Sequence, residues 1–198
     1  MYNEVGRQGR PERNKRYLVT ELAENGELFN FVQNHNGLQP AVCRQLFGQL
    51  LNGLHTLHNM GIAHRDMKPE NCFLDASLIL KVADFGTHKV FAGDSASDLK
   101  TCTGTRQYMA PEVAKNERKR LGDKYQGPPV DIFACGIILF FMLVGEPPFL
   151  KPLNRYHKKI LSDPLEIRED EEWNIEENAL DLVAKMIAIE PEDRLTIE

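Results

Sequence analysis

Residues 64–71 read HRDMKPEN, placing two carboxylates, an ammonium, a guanidinium, an imidazole and an amide in one turn-sized stretch. Such a set is costly to bury unless its groups find partners, and it suits a reaction. Asp66 can accept the proton of an alcohol, and Lys68 can stabilise negative charge on a group in flight. Cys72–Leu74 and Ile79–Ala83 follow as two short strands around the turn Asp75-Ala76-Ser77. Paired antiparallel, they bring the residue entering the hairpin back beside the residue leaving it, because directly opposed residues lie only about 5 Å apart. Asn71 and Asp84 then converge, and an amide oxygen with a carboxylate forms a hard oxygen site suited to Mg²⁺. Taken singly, each of these residues fits a polar loop that satisfies its own backbone.

The elements that must hold this group in place are legible from periodicity and breakers. Tyr17–Leu22 (YLVTEL) is a β-like run, Asn25-Gly26 breaks it, and Glu27–Gln33 reads as a short helix. Ala41–Asn59 is the clearest amphipathic helix, with Cys43, Leu46, Phe47, Leu50, Leu51, Leu54, Leu57 and His58 near three-and-four spacing. Gly61 suits a left-handed cap after it. Residues 87–109 show no convincing regular element, and a loop of that length in a compact domain is usually functional or disordered. Val130–Leu143 is apolar nearly all round, the pattern of a helix buried on every side, ended by Gly145 and Pro147-Pro148. Arg155–Leu161 reads as a further helix. Asn174 can cap another, with Glu177 at its third position, ahead of Ala179–Ile189.

The order HRDxxxxN at 64–71, DFG at 84–86 and APE at 110–112 resembles the signature set of protein kinases. Lys68, together with the stretch GTRQYMAPE, is similar to the serine/threonine class. The resemblance spans Tyr17 to Ile197 and implies an α+β fold: a mainly α-helical kinase-like large lobe with short β-hairpins and an incomplete small lobe. It implies the transfer of the ATP γ-phosphate to a serine or threonine hydroxyl of a protein substrate. By resemblance Asp66 is the catalytic base, Asn71 and Asp84 hold Mg²⁺, and Lys68 contacts the transferred phosphate. VTELAENGELF resembles the hinge that receives adenine. The Glu21 carbonyl and the Ala23 backbone would face the base, Thr20 would guard the back pocket, Glu27 would lie near the ribose and Phe73 under the ring. Asp131 would brace the catalytic loop, and Glu112 with Arg194 resembles a buried ion pair. Residues 87–109 become an activation loop in which Thr101 is the expected switch, with Ser95, Ser97 and Thr103 as competitors. A phosphate on Thr101 would pair with Arg65 and Lys89, which implies an upstream activating kinase as a partner.

No GxGxxG run and no VAIK-like strand lysine occurs in these residues. Residues 1–16 are therefore expected to be a small-lobe remnant or a disordered start, and 17–198 a kinase domain cut at both ends. The alternative is a catalytically silent lobe that docks partners. Phe141 stands where relatives that prefer basic substrates often carry a glutamate, which argues against a strong arginine preference near the acceptor.

The chain has 198 residues, 42% hydrophobic and 27% charged, with a formal charge of −5. That balance suits one globular domain and argues against a general nucleic-acid surface. Four dispersed cysteines and the lack of an apolar leader stretch point to a reduced, intracellular setting, cytoplasmic with the nucleus open. The apolar stretch from Ile132 is short for a membrane span, so none is expected. The acidic run 166–177 and the basic run 115–120 read as solvated surface.

Overall fold

A computed structural model of the chain describes residues 17–91, 99–116, 122–146 and 175–197. The expected features at 1–16, Ser95, Ser97, Pro147-Pro148, 155–161 and Asn174 lie outside the described residues, as do most of the basic and acidic runs.

Two long helices form the framework. Helix α1 is short, Leu28–Asn34, and turns the chain into α2, Pro40–Asn59. Proline at the first position of α2 costs nothing, since its missing N–H would be unpaired there anyway. The apolar stripe of α2 buries Cys43, Leu46, Phe47, Leu50 and Leu54. Gly61 follows at φ +71, in the left-handed conformation that a helix end favours. Helix α3 is a single turn, Pro111–Ala114, and α4 runs from Gly127 to Val144. The mean hydropathy of α4 is 2.0, enough for a bilayer by composition, yet 78% of it is buried within the fold. It is the central strut, packed between α2 and the last described helix, α5, Glu177–Met186.

Among the described residues the strands are few and short. Ile62–Ala63 (β1) pairs antiparallel with Lys89–Val90 (β4), and Cys72–Leu74 (β2) pairs with Leu80–Val82 (β3) in the register Cys72↔Val82, Phe73↔Lys81, Leu74↔Leu80. The turn of that hairpin is held by Asp75, whose Oδ1 accepts from the N–H groups of Ser77 and Ile79, both at 2.9 Å.

Three expectations are corrected. Tyr17–Leu22 forms no strand; Leu18 and Val19 are each 91% exposed, and among the described residues no neighbouring strand offers them a ladder. β-propensity expresses packing against neighbours, and here none is described. Within 87–109 there is regular structure after all: β4, and a 3₁₀ turn at Arg106–Tyr108. Helix α5 starts at Glu177 with Glu176 in the capping position, so Glu177 is its first residue rather than its third.

Candidate active site

The loop from His64 to Lys68 is fixed from beneath by α4. Asp131, fully buried in that helix, accepts the His64 N–H at 2.9 Å and the Arg65 N–H at 2.7 Å. His58 Nε2, on α2, meets the same carboxylate at 2.9 Å. A carboxylate in the most apolar helix of the fold is tolerable only because these partners satisfy it. They also hold Arg65 at φ +66, left-handed backbone that a side chain of its size rarely adopts. From above, the loop is tied to the chain after the hairpin. The Thr87 hydroxyl donates to the His64 carbonyl at 3.1 Å, Arg65 Nε donates to the Thr87 carbonyl at 2.8 Å, and His64 Nε2 lies 2.9 Å from the Ala83 carbonyl.

With the backbone pinned, the side chains converge. Lys68 Nζ lies 3.1 Å from Asp66 Oδ2, and Asn71 Nδ2 donates to the Asp66 carbonyl at 2.8 Å and approaches Oδ2 at 3.4 Å. Asp66 Oδ1 accepts from the N–H and the hydroxyl of Thr105 at 2.7 and 2.8 Å. Lys68 also donates to the Thr105 hydroxyl, at 3.0 Å, so that hydroxyl bridges the acid and the ammonium. Burial pushes the Asp66 carboxyl up. The hydrogen bonds from Thr105 and Lys68, and the Lys68 charge, outweigh it and hold the carboxyl below its ordinary value. A carboxylate kept ionised and aimed by two donors can take a proton from an alcohol. Thr105 can reach it because Gly104, at φ +105, lies flat on the loop: a Cβ there would meet the Arg65 carbonyl oxygen at 2.6 Å.

The hairpin delivers the other groups. The Ala83 N–H donates to the Asn71 carbonyl at 2.9 Å, so Asn71 faces Ala83 and Asp84 is the next residue along, one step off the direct pairing the sequence suggested. Asp84 is exposed at φ +58 and accepts the Gly86 N–H at 3.1 Å. The Asn71 N–H₂ is committed to Asp66, which leaves its amide oxygen as the acceptor for a cation.

On the other edge of β2, Phe73 bridges Glu27, and the Leu74 N–H donates to the Gly26 carbonyl at 2.8 Å. The segment from Glu21 to Glu27 is thereby laid along the hairpin. Ala23 closes a turn on the Gly26 N–H at 3.1 Å, and Glu21 reaches Lys81 at 3.2 Å. Glu21, Ala23, Glu27 and Phe73 are brought to the same hairpin that ends in Asn71; Thr20 is exposed. Arg65 Nη1 donates to the Thr101 hydroxyl at 3.0 Å, while Lys89 is exposed on β4 opposite Ala63. Glu112 and Arg194 do form an ion pair, in a two-pronged geometry at 2.7 and 2.8 Å.

Thr105, His58 and Tyr125 were not singled out from the sequence, apart from His58 as a position on the apolar face of its helix. The weak signal for Thr105 was its place directly after a glycine in GTRQYMAPE. All four cysteines are thiols without a disulfide. Burial pushes Cys43 up to about 11 and Cys72 up to about 12, the latter with help from the Glu70 charge, so neither is a nucleophile at neutral pH.

Comparison with known proteins bears on the same residues. Residues 7–198 match the family described as "Protein kinase domain". The chain is 37% identical over 184 residues to "Serine/threonine-protein kinase CHK1" of Mycosarcoma maydis, covering 92% of this chain and 27% of that protein. It is 37% identical over 186 residues to "Probable serine/threonine-protein kinase fhkC" of Dictyostelium discoideum, covering 92% of this chain and 30% of the relative. It is 35% identical over 187 residues to "Probable serine/threonine-protein kinase KCC4" of Saccharomyces cerevisiae, covering 93% and 17%. The chain thus spans less than a third of the length of each of these curated relatives.

Proposed function

The chain belongs to the protein kinase family, and from that premise we propose that the protein transfers the γ-phosphate of ATP to a serine or threonine hydroxyl of a protein substrate. The observation that carries the reading is the triangle of Asp66, Lys68 and Thr105, an ionised acid and an ammonium bridged by one hydroxyl. Asp66 takes the proton of the acceptor alcohol. Its Oδ1 is held by two short bonds from Thr105 and its Oδ2 meets Lys68 at 3.1 Å, so the carboxylate is fixed in place as the proton acceptor. Lys68 stabilises the charge that builds on the phosphoryl oxygens. Thr105 and Asn71 keep the acid in place.

The donor set fits Mg²⁺: an amide oxygen at Asn71 and a carboxylate at Asp84, hard ligands on adjoining steps of one hairpin, would hold the ion. When bound, the ion supplies neutralisation of charge between the phosphates. For ATP, Glu21, Ala23, Glu27 and Phe73 along the hairpin edge form the proposed adenosine side, so that base and phosphates are held by one β-ribbon. In this reading residues 17–198 are the hinge and large lobe of the fold. Thr101 is a regulatory phosphorylation site for an upstream kinase, read by Arg65 and Lys89. The proposed setting is intracellular, cytoplasmic or nuclear.

The test is phosphate transfer from labelled ATP to serine and threonine peptides, with Asp66→Asn as the variant. Loss of the base lowers turnover by about 10²- to 10⁴-fold, while Mg-ATP still raises the melting temperature. Equal turnover by Asp66→Asn would end the proposal.

A further inference from the structure

The segment Leu99–Thr101 is docked without any modification of Thr101. The Tyr125 N–H donates to the Leu99 carbonyl at 2.9 Å, and the two residues form an isolated antiparallel bridge. Both side chains are buried, at 5% exposure each. The Tyr125 hydroxyl donates to the Thr101 carbonyl at 2.7 Å and lies 3.5 Å from Arg65 Nη1, from which it accepts. Asn116, also buried, donates to the Lys100 carbonyl at 3.4 Å and to the Asp123 carbonyl at 2.8 Å, and accepts the Asp123 N–H at 2.9 Å. One tyrosine therefore touches the backbone on both sides of Lys100 and the guanidinium that meets Thr101. By contrast, the bond from Arg65 to the Thr101 hydroxyl lies at an exposed position, where water competes with it.

We propose that Tyr125 is a positioning residue that orders this stretch of the activation segment and presents Thr101 to Arg65 before any phosphate is attached. A functional consequence, which rests on the kinase reading above, is that phosphate on Thr101 strengthens a pose already formed instead of creating it. Dependence of turnover on Thr101 phosphorylation is then small with tyrosine at 125 and large with phenylalanine.

Hydrogen exchange on the full, phosphatase-treated chain tests the structural claim without needing turnover. Tyr125→Phe speeds exchange in 99–105 by about three- to tenfold while α2 and α4 keep wild-type rates. Thr101→Ala, which removes only the exposed bond, changes the same amides by less than about twofold. Wild-type exchange in Tyr125→Phe, or equal loosening by Thr101→Ala, overturns the assignment. So does faster exchange throughout α2 and α4, which would make Tyr125 a general core residue. In the transfer assay, phosphate on Thr101 restores the Tyr125→Phe enzyme to within about twofold of phosphorylated wild type; a deficit that phosphate does not repair counts against the role. Absence of transfer in every form with the exchange pattern intact sinks the kinase reading and leaves the positioning role standing.

Discussion

Replacing Arg194 by alanine isolates a buried ion pair outside the site. Arg194 is 6% exposed, and its guanidinium donates through every nitrogen. Nη1 and Nη2 meet the two Glu112 oxygens at 2.7 and 2.8 Å, and also donate to the Pro129 and Ile189 carbonyls at 2.9 and 3.1 Å. Nε donates to the Ala188 carbonyl at 2.8 Å, and the cation lies 5.1 Å from the centre of the Phe133 ring. Alanine leaves a largely enclosed carboxylate and three carbonyls without their donor. Breaking such a pair from one side costs about 3–5 kcal/mol. At about 2–4 °C per kcal/mol for a domain of this size, the melting temperature falls by roughly 6–20 °C. Urea unfolding measures the loss directly. The internal control is Lys185–Asp181, an ion pair of the same 2.7 Å length but with side chains 57% and 46% exposed. Lys185→Ala should cost no more than about 0.5 kcal/mol. If Arg194→Ala and Lys185→Ala cost the same, then burial and bond count do not set the strength of these pairs, and the reasoning fails.

Thr105→Val removes the hydroxyl that bridges Asp66 and Lys68. The Asp66 carboxyl then moves up toward its ordinary value, so the acid limb of the kcat–pH profile shifts to higher pH, while at neutral pH, where the carboxyl stays ionised, turnover falls about tenfold through lost positioning alone; an unmoved limb refutes the bridge. The sign for stability follows the same lowered carboxyl. The Asp66 contribution is present above the usual carboxylate range and lost as pH falls through the lowered value, so acid unfolding of Thr105→Val should begin at higher pH. Gly104→Ala puts a methyl 2.6 Å from the Arg65 carbonyl oxygen. It should cut turnover far more than it lowers the urea midpoint, and a variant as active as wild type would show that the contact yields freely. Gly136→Ala faces Ile187 Cγ2 at 2.7 Å and Met186 Cβ at 2.8 Å across the α4–α5 contact. Overpacking there should cost about 1–3 kcal/mol in urea, and a neutral result would mean the two helices part without penalty.

What was legible in the sequence was local. Asp66, Lys68 and Asn71 lie within a few residues of one another, so their convergence needed only a loop, and the hairpin from Cys72 to Val82 was readable from its turn and branched residues. The stripe of α2 and the all-round apolarity of α4 encoded their burial directly. Asp131 and the Glu112–Arg194 pair came through resemblance, since nothing in spacing alone joins residues so far apart in the chain. Thr105 escaped for the same reason. Its contact with Asp66 is made across 39 positions, through a glycine that lets two irregular segments touch. β4 is only two residues long and has no pattern of its own; it exists because Ile62–Ala63 lies opposite. The misread strand at Tyr17–Leu22 is the converse case, a run with strand composition and no described partner.

A carboxylate inside the most apolar helix looks like a poor choice until the loop above it is considered. Arg65 is left-handed where its N–H and that of His64 both donate to Asp131, and that conformation costs roughly 1–2 kcal/mol for a residue with a Cβ. Two charge-assisted bonds to Asp131, each contributing about 1.5–3 kcal/mol, exceed that cost. A glycine at 65 would remove the strain but also the guanidinium that meets Thr87, Thr101 and Tyr125. The buried acid thus makes it possible to keep an arginine where the backbone favours glycine. Arg65, together with Tyr125 and Thr105, ties the loop carrying Asp66 to the segment carrying Thr101, and Asp131 rests that loop on α4.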